Sequence, residues 1–186
     1  MDAVNLTDHF LIAMPGLADP NFFHSVTYIC EHNSEGALGI VINRPLDLHL
    51  DEILAQMGIS EFAPQAGALP VFLGGPVQPE RGFVLHRPGG EWEGSLEVTP
   101  EVTLTTSRDI IEAVAQGEGP TQLLVALGYA GWGAGQLERE LADNSWLSGP
   151  SDWHVIFDTP AEQRWSVAAA HLGVDVSRLS HQAGHA

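Results

Sequence analysis

Lysine is absent from this chain of 186 residues, and all seven of its basic residues are arginines. Without lysine the protein cannot form a lysine Schiff base with a carbonyl substrate, and a phosphate-binding loop would lack its usual cation. The seven arginines stand against 24 aspartate and glutamate residues, which gives a formal net charge of −17. Because DNA and anionic lipid surfaces repel such a charge, we expect neither direct nucleic-acid binding nor membrane binding.

Cysteine and long apolar runs are also scarce. Cys30 is the single cysteine, so no internal disulfide can form, which fits a reducing compartment. Residues 1–5 contain neither a basic segment nor an apolar run of the kind that opens a signal peptide. No stretch approaches the roughly 20 apolar residues that cross a bilayer. These absences predict a cytoplasmic protein.

Apolar residues make up 44% of the chain, which is enough for an ordinary hydrophobic core. The length suits one domain, and we expect a single domain over residues 1–186 with a mobile polar tail at 180–186. Neighbouring strand patterns outnumber strand–helix–strand alternation. The sequence therefore predicts an α+β fold, with a mixed, mostly antiparallel sheet and helices packed around it.

Runs of β-branched and other apolar residues between turn residues predict the strands. The predicted strands cover residues 10–13, 25–30, 37–43, 69–73, 83–86, 95–99, 102–105, 122–127 and 154–157. Helical spacing and capping residues predict the helices. The predicted helices cover residues 51–57, 107–115, 136–143 and 159–172. Residues 61–68 and the glycine-rich segment 128–135 are predicted as loops.

The segment from Cys30 to Asn33 combines a thiol and an imidazole at the end of a predicted strand. If the strand continues through His32, the side chains of Cys30 and His32 point to the same face. Such a pair can form an activated nucleophile or two ligands of a metal. No second pair stands at a zinc-site spacing, so no metal is expected. The alternative is a buried structural cysteine beside a hydrogen-bonded turn that includes Glu31.

A second group of candidates lies around the connection between two predicted strands. Gly74 and Gly75 permit close approach of the backbone. Arg81 can hold a carboxylate or phosphate through two hydrogen bonds, and His86 can act as a general base. The alternative, which we favour for His86, is a tight connection with a histidine whose nitrogens are satisfied inside the protein.

Two further pairs of candidates flank predicted helices. Ser107 and Arg108 begin a helix whose N-terminus attracts anions, although Arg108 can equally pair with one of the many carboxylates. Tyr129 and Trp132 lie in the glycine-rich segment, where phosphates dock in other folds, but no nucleotide-binding motif is present. We therefore expect no cofactor. The alternative is that the glycines let both rings pack, whereas an exposed Trp132 would indicate a ligand or partner surface.

Eight segments together, and none of them alone, carry a family resemblance through their residues and their order along the chain. They cover residues 9–15, 28–33, 36–45, 74–76, 81–86, 105–109, 127–132 and 135–138. Together they resemble the YqgE/AlgH family of bacterial proteins, also called the UPF0301 group. Leu38 stands where methionine is common, which is a swap that conserves volume. The resemblance implies an α+β fold with a curved, partly barrel-like sheet in a cytosolic protein, and it supplies no catalytic residues.

The leading functional hypothesis is a non-catalytic binding or regulatory domain, whose surface forms where the loops at 31–33, 74–76, 107–109 and 128–132 converge. The family name carries a role in regulating transcription, which the negative charge directs toward a protein partner. A small anionic metabolite is the other expected ligand. The alternative function is a hydrolase or group transferase, with His32 or His86 as its base and Arg81 or Arg108 holding an anionic group.

Overall fold

The structure is a computed structural model that describes residues 5–14 and 24–173. The strands are β1 (His9–Ala13), β2 (Val26–Asn33), β3 (Gly36–Val41), β4 (Pro45–His49), β5 (Pro70–Leu73), β6 (Val77–Arg87), β7 (Ser95–Glu97), β8 (Thr103–Thr105), β9 (Gln122–Gly133) and β10 (Trp146–Pro150). The helices are α1 (Leu50–Gln56), α2 (Pro64–Gly67), α3 (Arg108–Ala115), α4 (Gln136–Ala142), α5 (Trp153–Phe157) and α6 (Arg164–His171), and a 3₁₀ turn (Ala161–Gln163) precedes α6. The expected tail at 180–186 lies outside the described residues.

The strands form one curled, mostly antiparallel sheet with the shape of a half-barrel. Eight of them follow the order β10, β1, β2, β3, β9, β6, β8 and β7, with antiparallel neighbours throughout. β4 and β5 lie off this path, and β5 pairs with β9 in parallel. The predicted α+β class with a mixed, mostly antiparallel sheet is therefore confirmed.

β9 joins the two parts of the sheet. Up to Tyr129 it pairs with β6, and over residues 125–127 it also pairs with β5 on its other side, whereas residues 130–133 pair with β3. The glycine-rich loop predicted from residue 128 is thus wrong, because the segment continues as strand. Gly128 has a φ of +78°, and a Cβ there would lie 2.4 Å from the carbonyl oxygen of Gly75. Only glycine fits this close crossing.

A β-bulge in β2 decides which face its last residues present. Ile29 pairs with Gly39 and Glu31 with Leu38, so one extra residue stands between them in β2. An extra residue reverses the alternation of side chains beyond it. Cys30 accordingly points into the main core, while the ring of His32 points toward α4. The prediction that Cys30 and His32 share a face is therefore wrong.

Helices cover the sheet in three places. α5 and α6 pack on the largest core cluster, which includes Tyr28 and Leu85. α1, α2 and α3 cover a second cluster around Val84 and Val125, and α4 covers a third around Ile29. Among residues 5–14 and 24–173, no helix is long and apolar enough to span a bilayer.

One predicted strand is wrong, and two strands of the structure were not predicted. Residues 154–157 are β-branched and aromatic, but they form α5, because Asp152 accepts a hydrogen bond from the His154 amide and Val155 and Ile156 pack into the core. β10 has no alternating pattern, and it was not predicted. β4, which begins at Pro45 shortly after the predicted strand at 37–43, was not predicted either, and among the described residues it pairs with β5 alone. An edge position tolerates the missing proline donor.

Candidate functional site

The candidate residues do not converge on one site, and six of them line two separate cavities. Glu31, Asn33, Tyr129 and Trp132 line a hollow between β2, β3 and β9. Ser107 and Arg108 line a separate cavity beside α1 and α3. Residues from the segments at 31–33 and 128–132 thus line the first hollow, whereas Gly74 and Gly75 are not among its lining residues. Ser107 and Arg108 belong to the second cavity.

The first hollow has a volume of about 450 Å³ and is lined by residues from β2, the β2–β3 turn and β9. Its floor includes Leu38 and Tyr129, and the Tyr129 ring packs edge-on against Phe83 with centroids 5.6 Å apart. Trp132 is largely buried, and its indole N–H donates to Glu140 Oε1 at 3.0 Å. Trp132 is thus mainly a packed core residue, although it also lines the hollow.

Gly74 and Gly75 support β9 from the connection between β5 and β6. The Gly74 amide donates to the Leu127 carbonyl at 2.8 Å. A Cβ on Gly75 would lie 2.1 Å from the carbonyl carbon of Tyr129. Both glycines therefore act through close backbone packing, and they place Tyr129 at the hollow.

The ring of His32 is held on both sides. Its Nδ1 accepts a hydrogen bond from the Leu6 amide at 3.0 Å, so the ring proton of the neutral form is on Nε2. Nε2 lies 3.3 Å from Glu138 Oε1, and only 2% of the His32 side chain is exposed. The imidazole therefore links β2, the N-terminal segment and α4, and it has no nitrogen left for a substrate.

His86 is similarly enclosed. Its Nδ1 lies 3.0 Å from the Pro88 carbonyl oxygen, to which it donates, and its Nε2 accepts from the Thr105 hydroxyl at 2.7 Å. The Thr105 hydroxyl also lies 2.9 Å from Ser95 Oγ. Burial lowers the pKa of His86, and only the hydrogen bond to Pro88 acts in the opposite direction. The ring is a neutral structural group with both nitrogens engaged.

Cys30 is also part of the core. Its thiol is buried and faces the carbonyl of Tyr28 at 3.8 Å. Burial, with a smaller contribution from Glu31, raises the pKa of Cys30, which removes the thiolate that nucleophilic catalysis needs. Within the part of the chain that the structure describes, no group of three or more His, Cys, Asp or Glu is placed to hold a metal.

The second cavity, which we call the α1–α3 groove, is the better enclosed of the two. It has a volume of about 510 Å³. Its apolar lining comes from β4, α1, β6, α3 and β9, and consists of Leu48, Ile53, Met57, Gly82, Val84, Ile111, Val125 and Leu127. Its polar lining consists of Gln56, Glu80, Thr105, Thr106, Ser107 and Arg108. The two helices thus stand apart over the sheet and leave apolar strand surface uncovered between them.

Gly82 explains why the groove is open. It lies in the interior of β6, opposite Leu127, and a Cβ built on it would meet no atom within 4 Å. Any larger residue here would project its side chain into space that is now empty. Glycine is otherwise unfavourable inside a strand, where it often marks a place at which a ligand or another backbone approaches.

Arg108 links the two helices at the mouth of the groove. Its Nη2 donates to the carbonyl oxygen of Met57 at 2.8 Å, and its Nε lies 3.6 Å from Glu112. The start of α3 already has its own carboxylate, since Asp109 accepts from the Ser107 hydroxyl and from the Glu93 amide. These hydrogen bonds, led by the one from Ser107, lower the pKa of Asp109. The anion site expected at this helix start is therefore filled by the protein itself.

Arg81 is exposed beside the groove. Its nearest polar partners are Gln78 Oε1 at 3.4 Å and Thr106 Oγ1 at 3.5 Å, and its guanidinium lies 5.4 Å from the centroid of the Phe83 ring. Among the described residues it has no ion pair within 4.0 Å. Arg81 therefore lies at the edge of the groove, on the strand that carries Gly82.

Sequence reasoning missed the groove itself. Ile53 and Met57 have helical spacing, which indicates a face packed on a core, and nothing in that spacing shows that part of the face stays uncovered. The one available signal was Gly82, which directly precedes the predicted strand at 83–86.

A family model described as AlgH-like (DUF179) matches residues 10–177. The chain belongs to the AlgH-like family. A UPF0301 protein of Thioalkalivibrio sulfidiphilus is 63% identical over 182 residues, which cover 98% of this chain and 97% of that protein. A UPF0301 protein of Nitrosococcus oceani is 60% identical over 179 residues, with 96% of each chain covered. The resemblance found in the sequence is confirmed.

Two solved structures have a fold similar to that of this AlgH-like protein. The solution structure of the AlgH protein from Pseudomonas aeruginosa matches with a TM-score of 0.82 at 51% identity, and covers 100% of this chain and 98% of that one. Protein DIP2367 of Corynebacterium diphtheriae matches with a TM-score of 0.74 at 16% identity, with 97% and 94% covered. The second likeness concerns the fold alone.

Three arginines of this AlgH-like domain are engaged in separate parts of the fold. Arg164 is buried and donates to the Ile42 and Thr159 carbonyls, and its burial lowers its pKa to about 10. Arg87 lies over the Trp153 ring at 3.6 Å and Arg108 lies at the groove. These positive charges therefore do not combine into one basic face.

Proposed function

We propose that this AlgH-like protein is a non-catalytic binding domain of the cytoplasm, and that the α1–α3 groove is its binding site. The observation that carries the proposal is a cavity of about 510 Å³ with an apolar floor that Gly82 leaves open. This volume lies within the range of roughly 300–1,000 Å³ that is usual for ligand sites, which are mostly apolar with a few polar groups. The polar groups at its mouth, among them Ser107 and Arg108, suit recognition of the ligand's outer part.

The chemistry of the lining supports binding over catalysis. The residues that line the groove include no histidine or cysteine, and Glu80 is their only carboxylate. His32 and His86, the bases of the alternative hydrolase or transferase, have both ring nitrogens hydrogen-bonded inside the protein. A general base needs a nitrogen or oxygen within reach of the substrate proton.

We infer that any control of transcription by this domain acts through a protein bound at the groove. The net charge of −17 opposes contact with DNA, and three of the arginines are held in separate parts of the fold. An uncovered apolar surface on a protein of this charge is instead suited to a partner that buries it.

The groove can be tested with Nile red, a neutral dye that fluoresces in apolar surroundings. We expect the native protein to enhance its emission, and Gly82→Leu to weaken dye binding by about tenfold or more, because the added side chain fills the cavity. Gly133→Leu is the matched control. It adds the same side chain at an exposed position of β9, where a Cβ meets only Gln136 Oε1 at 3.9 Å.

Thermal unfolding should show that both variants are folded. The proposal fails if the native protein gives no enhancement, or if Gly82→Leu and Gly133→Leu bind the dye equally well.

A further inference from the structure

Apolar surface continues on the other side of α1. A third concave surface of about 520 Å³, which we call the Phe62 hollow, lies there and is lined by Ala55, Ile59 and Phe62. Helix α1 thus stands between two concave apolar surfaces, one of which is the α1–α3 groove. A small molecule would fill only one of them. Both together suit a chain segment that presents several apolar side chains.

The charges around these two surfaces are mainly negative. Glu80 lies at the groove, whereas Asp51 and Glu52 line the Phe62 hollow. All three residues are exposed. The positive charge of Arg108 is already shared with Glu112 and the Met57 carbonyl. Arg81 is a second cation, and it lies at the edge of the groove beside Thr106.

These charges select among possible occupants. An anionic ligand would meet Glu80 at the groove, and Asp109 already occupies the helix start that would otherwise attract it. A segment with lysine or arginine beside its apolar residues would instead find carboxylates on both sides of α1. Complementary charges of this kind set the partner's identity and its rate of association more than its affinity.

We propose that the α1–α3 groove binds a basic amphipathic segment of a protein partner, whose apolar face covers the groove and whose basic residues face Glu80, Asp51 and Glu52. This inference rests on the proposed function, because it names the occupant of the same site. An amphipathic helix that lays its apolar face into a groove is a common mode of peptide recognition.

Two synthetic peptides test the proposal. Each has about 14 residues, or four helical turns, with leucines at i, i+3, i+4 and i+7. One carries lysines on its polar face, and the other carries glutamates at the same positions. Binding is measured by fluorescence anisotropy of the labelled peptides, at low salt and at about 0.2 M salt, where the Debye length is shorter than 10 Å.

We expect the lysine peptide to bind and the glutamate peptide to bind at least about tenfold more weakly. Gly82→Leu should weaken the lysine peptide by about tenfold, and Glu80→Gln and added salt should each weaken it by about threefold. Glu97→Gln is the matched control, since Glu97 is exposed on the edge strand β7, away from the groove lining, and should change nothing.

The outcomes separate this inference from the proposed function. If Nile red binds in a Gly82-dependent way but the lysine peptide does not bind, or the glutamate peptide binds as tightly, the basic partner is ruled out and the binding site stands. If sedimentation shows a native dimer that Gly82→Leu dissociates, the occupant is a second copy of the chain and the inference is overturned. If the dye binding itself is independent of Gly82, the proposed site falls as well.

Discussion

Among single residues, His86 most directly links the structure to a measurable property. The folded protein holds its imidazole neutral, because burial outweighs the hydrogen bond to the Pro88 carbonyl and keeps the pKa below its ordinary value of 6.5. In the unfolded chain the ring is free to take up a proton near that value. The unfolded state therefore binds more protons than the folded state as the pH falls through 6.5.

We predict that this difference makes the protein less stable at mildly acidic pH. The free energy of unfolding, measured with urea, should fall between about pH 7.5 and 5.5, the range in which histidine titrates. In His86→Gln the amide can still donate to Pro88 and accept from Thr105, but it takes up no proton, so its stability should fall less over the same range. Burial also lowers the pKa of His24, which contributes equally to both proteins. Equal pH dependence in the two proteins would contradict the prediction.

The sequence identifies which residue types could serve a site, but it does not show in which direction their side chains point. Cys30 and His32 are two apart in a strand, and their separation onto opposite faces depends on a bulge that exists only once β2 has paired with β3. Arg164 is another case. Arginine is almost never fully buried, and nothing local shows that its guanidinium reaches the Ile42 carbonyl, which is 122 residues away in the chain.

At the scale of elements, the connection between β5 and β6 and the interior of β6 contain glycines with opposite roles. Gly75 lies against the backbone of β9, whereas Gly82 faces the empty space of the groove.

We predict that Gly75→Ala destabilises the protein by about 3 kcal/mol or more, because a Cβ 2.1 Å from a backbone carbon forces two strands apart. Gly82→Ala is its matched partner, and it should change the free energy of unfolding by about 1 kcal/mol at most, with stabilisation expected, since alanine restricts the unfolded chain without a clash. Urea unfolding of both variants measures the difference. A Gly82→Ala variant as unstable as Gly75→Ala would show that the strand needs glycine there and that the groove is not open.

Elements with a strong periodic pattern were predicted well, and those that depend on distant partners were not. α1, α3 and α4 were found because their apolar residues recur at helical spacing and their ends have turn residues. The reach of β9 to Gly133 was missed, because its glycines read as a loop until β3 and β6 supply partners for the backbone. The α1–α3 groove was missed for the same reason, since an uncovered surface depends on how the helices are placed on the sheet.

For the whole molecule, charge is the dominant property. The carboxylates that give the chain its net charge of −17 repel one another, and this repulsion opposes the compact state. The ion pairs of the described residues are few and mostly at the surface, such as Arg87 with Glu101, so they offset little of this repulsion.

We predict that salt stabilises this protein. The Tm should rise between about 0.02 M and 0.2 M NaCl, because the Debye length shortens from about 20 Å to less than 10 Å and screens the repulsion between carboxylates. Differential scanning fluorimetry measures the shift, and KCl at the same concentrations serves as the control for ion-specific effects. A Tm that falls with either salt would mean that attractive pairs outweigh the repulsion.

β9 contributes Val125 and Leu127 to the groove and Tyr129 and Trp132 to the hollow near its other end. The two surfaces therefore share one continuous strand. A fragment that ends before residue 130 would lose the residues of β9 that pair with β3, and a fragment that begins after residue 127 would lose Val125 and Leu127 from the lining of the groove. Both surfaces consequently depend on the integrity of this strand, and a shortened form that keeps the two of them must keep β9 from Val125 to Trp132.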